Sequence, residues 1–106
     1  MADWTRVHAY AKHASIEQYP ITSFLLSAVS FHQEVIKDLD VNESLQMDFE
    51  VNKYDPTAIV IKRGLEICGY VPKDIKEKVL SFVPSKVKVI EKRLYKGIYS
   101  LRVDIV

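Results

Sequence analysis

Apolar and polar positions alternate most regularly over residues 45–52. Leu45, Met47, Phe49 and Val51 fall on one side, and Gln46, Asp48, Glu50 and Asn52 on the other. A period of two belongs to a strand with one covered face, so this segment is predicted to be a half-buried strand. Before it, Ser23 to Phe31 is an apolar run bounded by polar residues and predicts a buried strand. After it, Ala58 to Lys62 predicts a third strand, which Arg63-Gly64 turns into Glu66 to Val71 as a hairpin. Pro72 suits the first position of a helix, where its missing N–H has no partner to lose. Ile75, Val79, Leu80 and Val83 of that helix then face the core, while Lys73, Asp74, Lys76, Glu77 and Lys78 face water, and Pro84 stops it. Lys86 to Arg93 and Ile98 to Ile105 alternate again and join through Tyr95-Lys96-Gly97, with Tyr99, Leu101, Val103 and Ile105 sharing a face.

Residues 1–20 break this rhythm. Trp4, Val7, Tyr10, Ala11 and Ala14 recur at roughly helical spacing as far as Pro20, which predicts a short helical leader over residues 1–21 ahead of a body over residues 22–106. The body reads β-β-β-β-α-β-β, with no internal repeat and no low-complexity linker. A mainly β fold with α follows: six short strands and one inserted helix, arranged as a small, partly open OB-like barrel.

Composition sets the limits. The 106 residues, 48% hydrophobic and 10% aromatic, suffice for one domain with its own core. A single cysteine, Cys68, rules out an intramolecular disulfide and a cysteine-based zinc site, and reads as a small buried hydrophobe. No apolar run approaches the ~20 residues of a bilayer span, and the N-terminus lacks a signal-peptide core. The expectation is a soluble intracellular protein, nuclear if its source is a eukaryote and cytoplasmic otherwise. The net charge of +1 conceals an asymmetry: residues 1–52 carry 3 basic side chains against 8 acidic ones, and residues 53–106 carry 12 against 6. A near-neutral chain of this kind can present one basic face.

Most catalytic chemistry is excluded by spacing. His8 and His13, five apart, do not stack on one helical face and have no second ligand pair. His32, beside Phe31, has neither a glycine-rich elbow nor an oxyanion loop near it. Gly64, Gly69 and Gly97 are too scattered for a phosphate-binding loop or a dinucleotide fingerprint. No catalytic residue, metal or cofactor is assigned.

The segment Asn52-Lys53-Tyr54-Asp55-Pro56-Thr57-Ala58-Ile59-Val60-Ile61 joins two strands through a turn and sets an aromatic beside a carboxylate. Asp55 suits two roles there: closing an Asx-type turn, or accepting a hydrogen bond from a ligand hydroxyl. Tyr54 is either a ring capping the sheet or a stacking surface.

Together with Gly69-Tyr70-Val71-Pro72-Lys73, which opens the helix, this segment resembles the HIRAN domain. That small module stands at the N-terminus of helicase-like transcription factor and related SWI/SNF DNA-repair translocases, and also occurs alone. The family's N-x-Y-D-x-x-A-I-x-V pattern is matched over Asn52 to Ile61, with Ile in the last place, and its G-[HY]-[LV]-[PK]-[RK] pattern over Gly69 to Lys73. The resemblance covers roughly residues 22–106. It implies an OB-like barrel without catalytic activity that captures the 3′ end of single-stranded DNA. By the same resemblance Tyr54 stacks on a base, Asp55 accepts from the terminal 3′-hydroxyl, Lys73 contacts a phosphate, and Asn52 supports the loop or touches the ligand; Tyr70 belongs to the second motif. Where DNA-end-binding members have Arg-Tyr in the first strand, this chain has Ser30-Phe31. Phe31 retains a π-face for stacking, whereas the missing arginine removes a phosphate contact, which weakens binding and flattens its salt dependence. The bland reading of Lys73 is a solvated first-turn residue, mildly opposed by the helix dipole.

Two function classes follow. One is a 3′-end binding module for single-stranded DNA. The other is a protein-interaction or adaptor module on the same scaffold, self-associating through the leader aromatics Trp4 and Tyr10.

Overall fold

The computed structural model describes residues 19–50 and 54–106. The expected helical leader therefore lies outside the described residues up to position 18, and so do Val51, Asn52 and Lys53. The described elements are β1 (Ser23–Leu25), α1 (Gln33–Lys37), β2 (Ser44–Glu50), β3 (Ala58–Arg63), β4 (Glu66–Tyr70), α2 (Lys76–Val79), β5 (Ser85–Tyr95) and β6 (Ile98–Ile105). All pairings are antiparallel, and the strands form one six-stranded sheet in the order β1-β6-β5-β2-β3-β4. The mainly β class with six strands holds, and the hairpins fall where the turn residues placed them. Lys96 and Gly97 both take positive φ (51° and 81°), as a two-residue loop between right-twisted strands requires.

Two expectations need correction. The buried strand over Ser23 to Phe31 is only three residues long. The chain leaves it through Ala28, at φ 60°, into a 3-10 turn (Val29–Phe31) and then α1, a helix the strand reading missed. Tertiary bonds decide this: the Gln33 side chain donates to the carbonyls of Val29 and Tyr99 (both 2.9 Å) and accepts from the Tyr99 N–H (2.7 Å). Ile36 and Leu39, three apart, are fully buried beneath that anchor. The single helix expected between Pro72 and Pro84 is also broken, into a 3-10 turn (Lys73–Ile75), α2, and a second 3-10 turn (Leu80–Phe82). Eleven residues bounded by prolines are too few for a helix to hold on propensity alone. The tighter turns carry Leu80 partly into solvent, while Val79 stays buried.

The core gathers the inward stripes of the strands: Leu45 and Met47 from β2, Ile59 and Ile61 from β3, Val87 and Val89 from β5, and Leu101 and Val103 from β6, with Ile36 from α1 and Cys68 from β4. Burial raises the Cys68 thiol to about 11, in keeping with an inert packing role. Phe49, expected to face inward, is 45% exposed.

No ladder closes the sheet among the described residues, but its two edge strands meet at one point. Just past β1, the Ser27 N–H donates to the Tyr70 carbonyl (2.8 Å) and the Tyr70 N–H to the Ser27 carbonyl (3.0 Å). Register shifts at Ile61/Lys62 in the β3–β4 pair and at Val89/Glu91 in the β5–β6 pair add the bending that brings these edges round. Gly69 makes the meeting sterically possible, since a Cβ there would lie 2.8 Å from the Ser27 carbonyl oxygen and 3.1 Å from Leu26 Cδ2. Gly69→Ala is expected to lower stability by about 1–3 kcal/mol through forced separation of the edges. Urea unfolding measures this, and an unchanged midpoint would show that the bridge yields without cost.

Candidate functional site

The sequence Asp55-Pro56-Thr57-Ala58 builds a corner from its own chemistry. Proline fixes φ at the second position, and the Ala58 N–H donates to the Asp55 carbonyl (3.1 Å) to close the turn. The Asp55 carboxylate then ties the corner from inside: Oδ1 accepts from the Thr57 N–H (3.0 Å) and from Thr57 Oγ1 (2.9 Å). Its other oxygen, Oδ2, accepts from Lys76 Nζ at 3.0 Å, and the same ammonium donates to Thr57 Oγ1 at 2.9 Å. Of the two roles open to Asp55, the turn-forming one is thus present. The Lys76 and Thr57 hydrogen bonds hold its carboxyl below the usual aspartate range, so it is a fixed, ionised acceptor at neutral pH.

That corner forms one wall of a cleft of about 170 Å³. Ser27 and Ala28 bound it on the β1 side, Tyr70 and Val71 on the β4 side, and Lys73 and Lys76 stand where the chain turns into α2. Of the residues singled out from the sequence, Asp55, Tyr70 and Lys73 are therefore brought together. Tyr54 adjoins Asp55 in the chain and is 86% exposed. Phe31 is 80% exposed at the end of the 3-10 turn that Ala28 opens, outside the cleft lining. Asn52 lies outside the described residues.

Tyr70 is held on both sides. Its hydroxyl donates to Glu50 Oε1 at 2.8 Å, and its ring lies 6.5 Å from that of His32, tilted by 49°. Desolvation and the Glu50 carboxylate raise the phenol to about 12, so it remains a donor throughout the physiological range. In register Tyr70 stands opposite Val60 and Glu50 opposite Ala58, so the side chain of Tyr70 reaches from β4 across β3 to β2.

Lys76, Thr57 and Glu50 were not foreseen as parts of this site. Lys76 was assigned to solvent, yet its side chain is only 18% exposed. One signal was legible: Lys73 and Lys76 are three apart and share a face in a tight helical turn. The dipole argument about Lys73 does not hold, because the residue opens a three-residue 3-10 turn.

Among the described residues there is no cluster of histidine, cysteine and carboxylate side chains able to hold a metal, and no helix long and apolar enough to cross a membrane. No protein-family model, curated protein or solved structure matches the chain.

Lys76→Met is expected to raise the Asp55 carboxyl toward the ordinary aspartate value near about 3.9, as followed by carboxyl-carbon NMR titration. A carboxyl depressed in the folded state contributes stability that is present above its unfolded-state pKa and lost as pH falls through the folded-state value. Wild type should therefore lose stability as pH falls from about 5 through that range, and the variant should lose less. Equal titration curves would mean that Thr57 alone sets the acidity of Asp55.

Proposed function

We propose that the chain is a non-catalytic, HIRAN-type module that binds single-stranded DNA by its 3′ end. One observation carries the reading: Asp55 from one motif, and Tyr70 and Lys73 from the other, separated by a whole hairpin in sequence, line the same cleft. The open six-stranded sheet whose edges meet at Ser27 and Tyr70 suits the OB-like barrel that such a module would use.

In this reading Asp55 accepts from the terminal 3′-hydroxyl. Its carboxylate is ionised and fixed by Thr57 and Lys76, so little ordering is left for the ligand to impose. Tyr54, exposed beside it, offers a stacking face, and stacking is indifferent to base identity. Lys73 supplies charge for a phosphate at the rim. Phe31 lies farther out, where it can meet a base beyond the terminal one. The role is one of capture.

A second reading, the protein-interaction module, draws on another surface. A groove of about 400 Å³ is lined by Ile21, Phe24, Ile75, Val79, Phe82 and Ile105, with Ile21 wholly exposed. Failure to bind any single strand at low salt would put this reading first.

The test is a fluorescence titration with short single strands ending in a 3′-hydroxyl or a 3′-phosphate. The hydroxyl end should bind about tenfold or more tightly, because the phosphate brings negative charge to Asp55 and no hydroxyl to donate. Asp55→Asn, which retains an oxygen for Thr57, and Asp55→Ala should both erase the difference. Tyr54→Ala should weaken either strand by the ~1–3 kcal/mol of one stacked base. Equal affinity for the two ends in the wild-type protein would overturn end reading.

A further inference from the structure

We propose that the outer face of the sheet carries a second phosphate site, formed by Lys62 and Lys86 on either side of Gln46. It would take a backbone phosphate of the strand whose 3′ end occupies the Asp55 cleft. This rests on the strand-binding reading above, and it concerns residues outside the two motifs that carry the HIRAN resemblance.

The site follows from register. Gln46 on β2 stands opposite Lys62 on β3 and opposite Lys86 on β5. Residues directly opposite in an antiparallel pair share a face, and Leu45 and Met47 are buried, so all three side chains project from the outer face. The two lysines flank Gln46 one strand away on each side, about 10 Å apart at the backbone. They border a cleft of about 370 Å³ together with Ser44, Leu45, Gln46 and Gly64.

Several cations of the fold are already partnered, whereas the ammonium groups of this pair, like that of Lys88 two residues along β5, are not. Arg63 is bound to Glu43 at 2.7 Å, Lys76 to Asp55, and Arg93 to Glu91, while Lys92 donates to the carbonyls of Lys37 and Leu39. Among the described residues, neither the Lys62 nor the Lys86 ammonium group makes a side-chain hydrogen bond or ion pair. The carboxylate diagonal to Lys62 on the same face, Asp48, makes no ion pair with it. Two unpartnered ammonium groups with an amide donor between them offer N–H groups from three strands to one tetrahedral anion.

The same face leads back to the end-binding cleft. Ala58 lines that cleft and, by alternation along β3, shares its side of the sheet with Val60 and Lys62. Lys62 lies four steps along the strand from Ala58, about 13 Å. Tyr70, whose hydroxyl reaches Glu50, crosses the face between the two sites. A strand anchored at Asp55 and running over Tyr70 brings an internal phosphate to the lysines, within the ~4–16 nucleotides that an OB-type groove covers.

The experiment compares 5′-labelled oligothymidylates of two and eight nucleotides, each with a free 3′-hydroxyl, binding to the full chain across a salt series. The octamer should bind wild type about tenfold more tightly than the dimer. Lys62→Gln with Lys86→Gln should remove that gain and reduce the salt slope by about 0.7 for the lost phosphate. Dimer affinity and the preference for a 3′-hydroxyl should remain as in wild type. Arg at both positions should preserve octamer binding, which separates lost charge from a disturbed sheet. An octamer affinity and salt slope unchanged in the double Gln variant would overturn the second site while leaving end binding intact. A wild-type protein that binds neither oligonucleotide would overturn both.

Discussion

The reciprocal hydrogen bonds between Ser27 and Tyr70 constrain the whole molecule. They form where β1 has just ended and β4 is ending, and they join the two edges of a sheet that, among the described residues, has no other ladder between them. An open sheet of six twisted strands has no inherent reason to bring its first and last strands together; two register shifts bend it, and a glycine removes the Cβ that would hold the edges apart. The consequence is local as well as global. Ser27, Ala28 and Tyr70 become neighbours, and these residues wall the cleft that Asp55 and Lys73 complete. The glycine of the second motif thus serves the backbone, while Tyr70, Val71 and Lys73 after it line the cleft.

The Asp55 corner shows that organising a turn and presenting a carboxylate are one task. The local half is encoded in Asp-Pro-Thr, since a short acidic side chain two residues before an amide finds it with little loss of freedom. The other half comes from α2, where Lys76 binds Oδ2 and Thr57 together. An aspartate held by both halves is charged and fixed in orientation by the fold itself, as the proposed end-reading role would require. Lys76 also keeps the cleft from being net acidic, so Lys73 at its rim supplies positive charge instead of merely neutralising Asp55.

How much of this could be read in the sequence varied with the range of the interaction. The period-two segments from Leu45 onward gave strands whose positions hold, because each buries its own stripe and needs only neighbouring strands to do so. Ser23 to Phe31 misled, because apolar content without a clear period does not distinguish strand from helix. There the decision lies with Gln33 and its three bonds to Val29 and Tyr99, the latter 66 residues away. The site behaved likewise: Asp55, Tyr70 and Lys73 stood out as motif residues and line one cleft. Lys76 was misassigned because its partner lies 21 residues back and on a different element. Side chains that act through contacts remote in sequence leave only a weak local trace.

The distribution of charge makes sense on the same terms. The second half of the chain is strongly basic, yet most of its cations that adjoin the fold's joints are consumed there: Arg63 on Glu43, Lys76 on Asp55, Lys92 on the carbonyls that end α1. Each of these replaces water at a polar group that would otherwise be incompletely solvated, and so belongs to the architecture. Among the described residues the Lys62 and Lys86 side chains have no such employment, although they sit on interior strands where a carboxylate opposite either one would have been easy to accommodate. Gln46 occupies that opposite position for both. A glutamate at position 46 would stand opposite both lysines and lower their mutual repulsion, whereas the neutral amide found there leaves both charges uncompensated across the ladder.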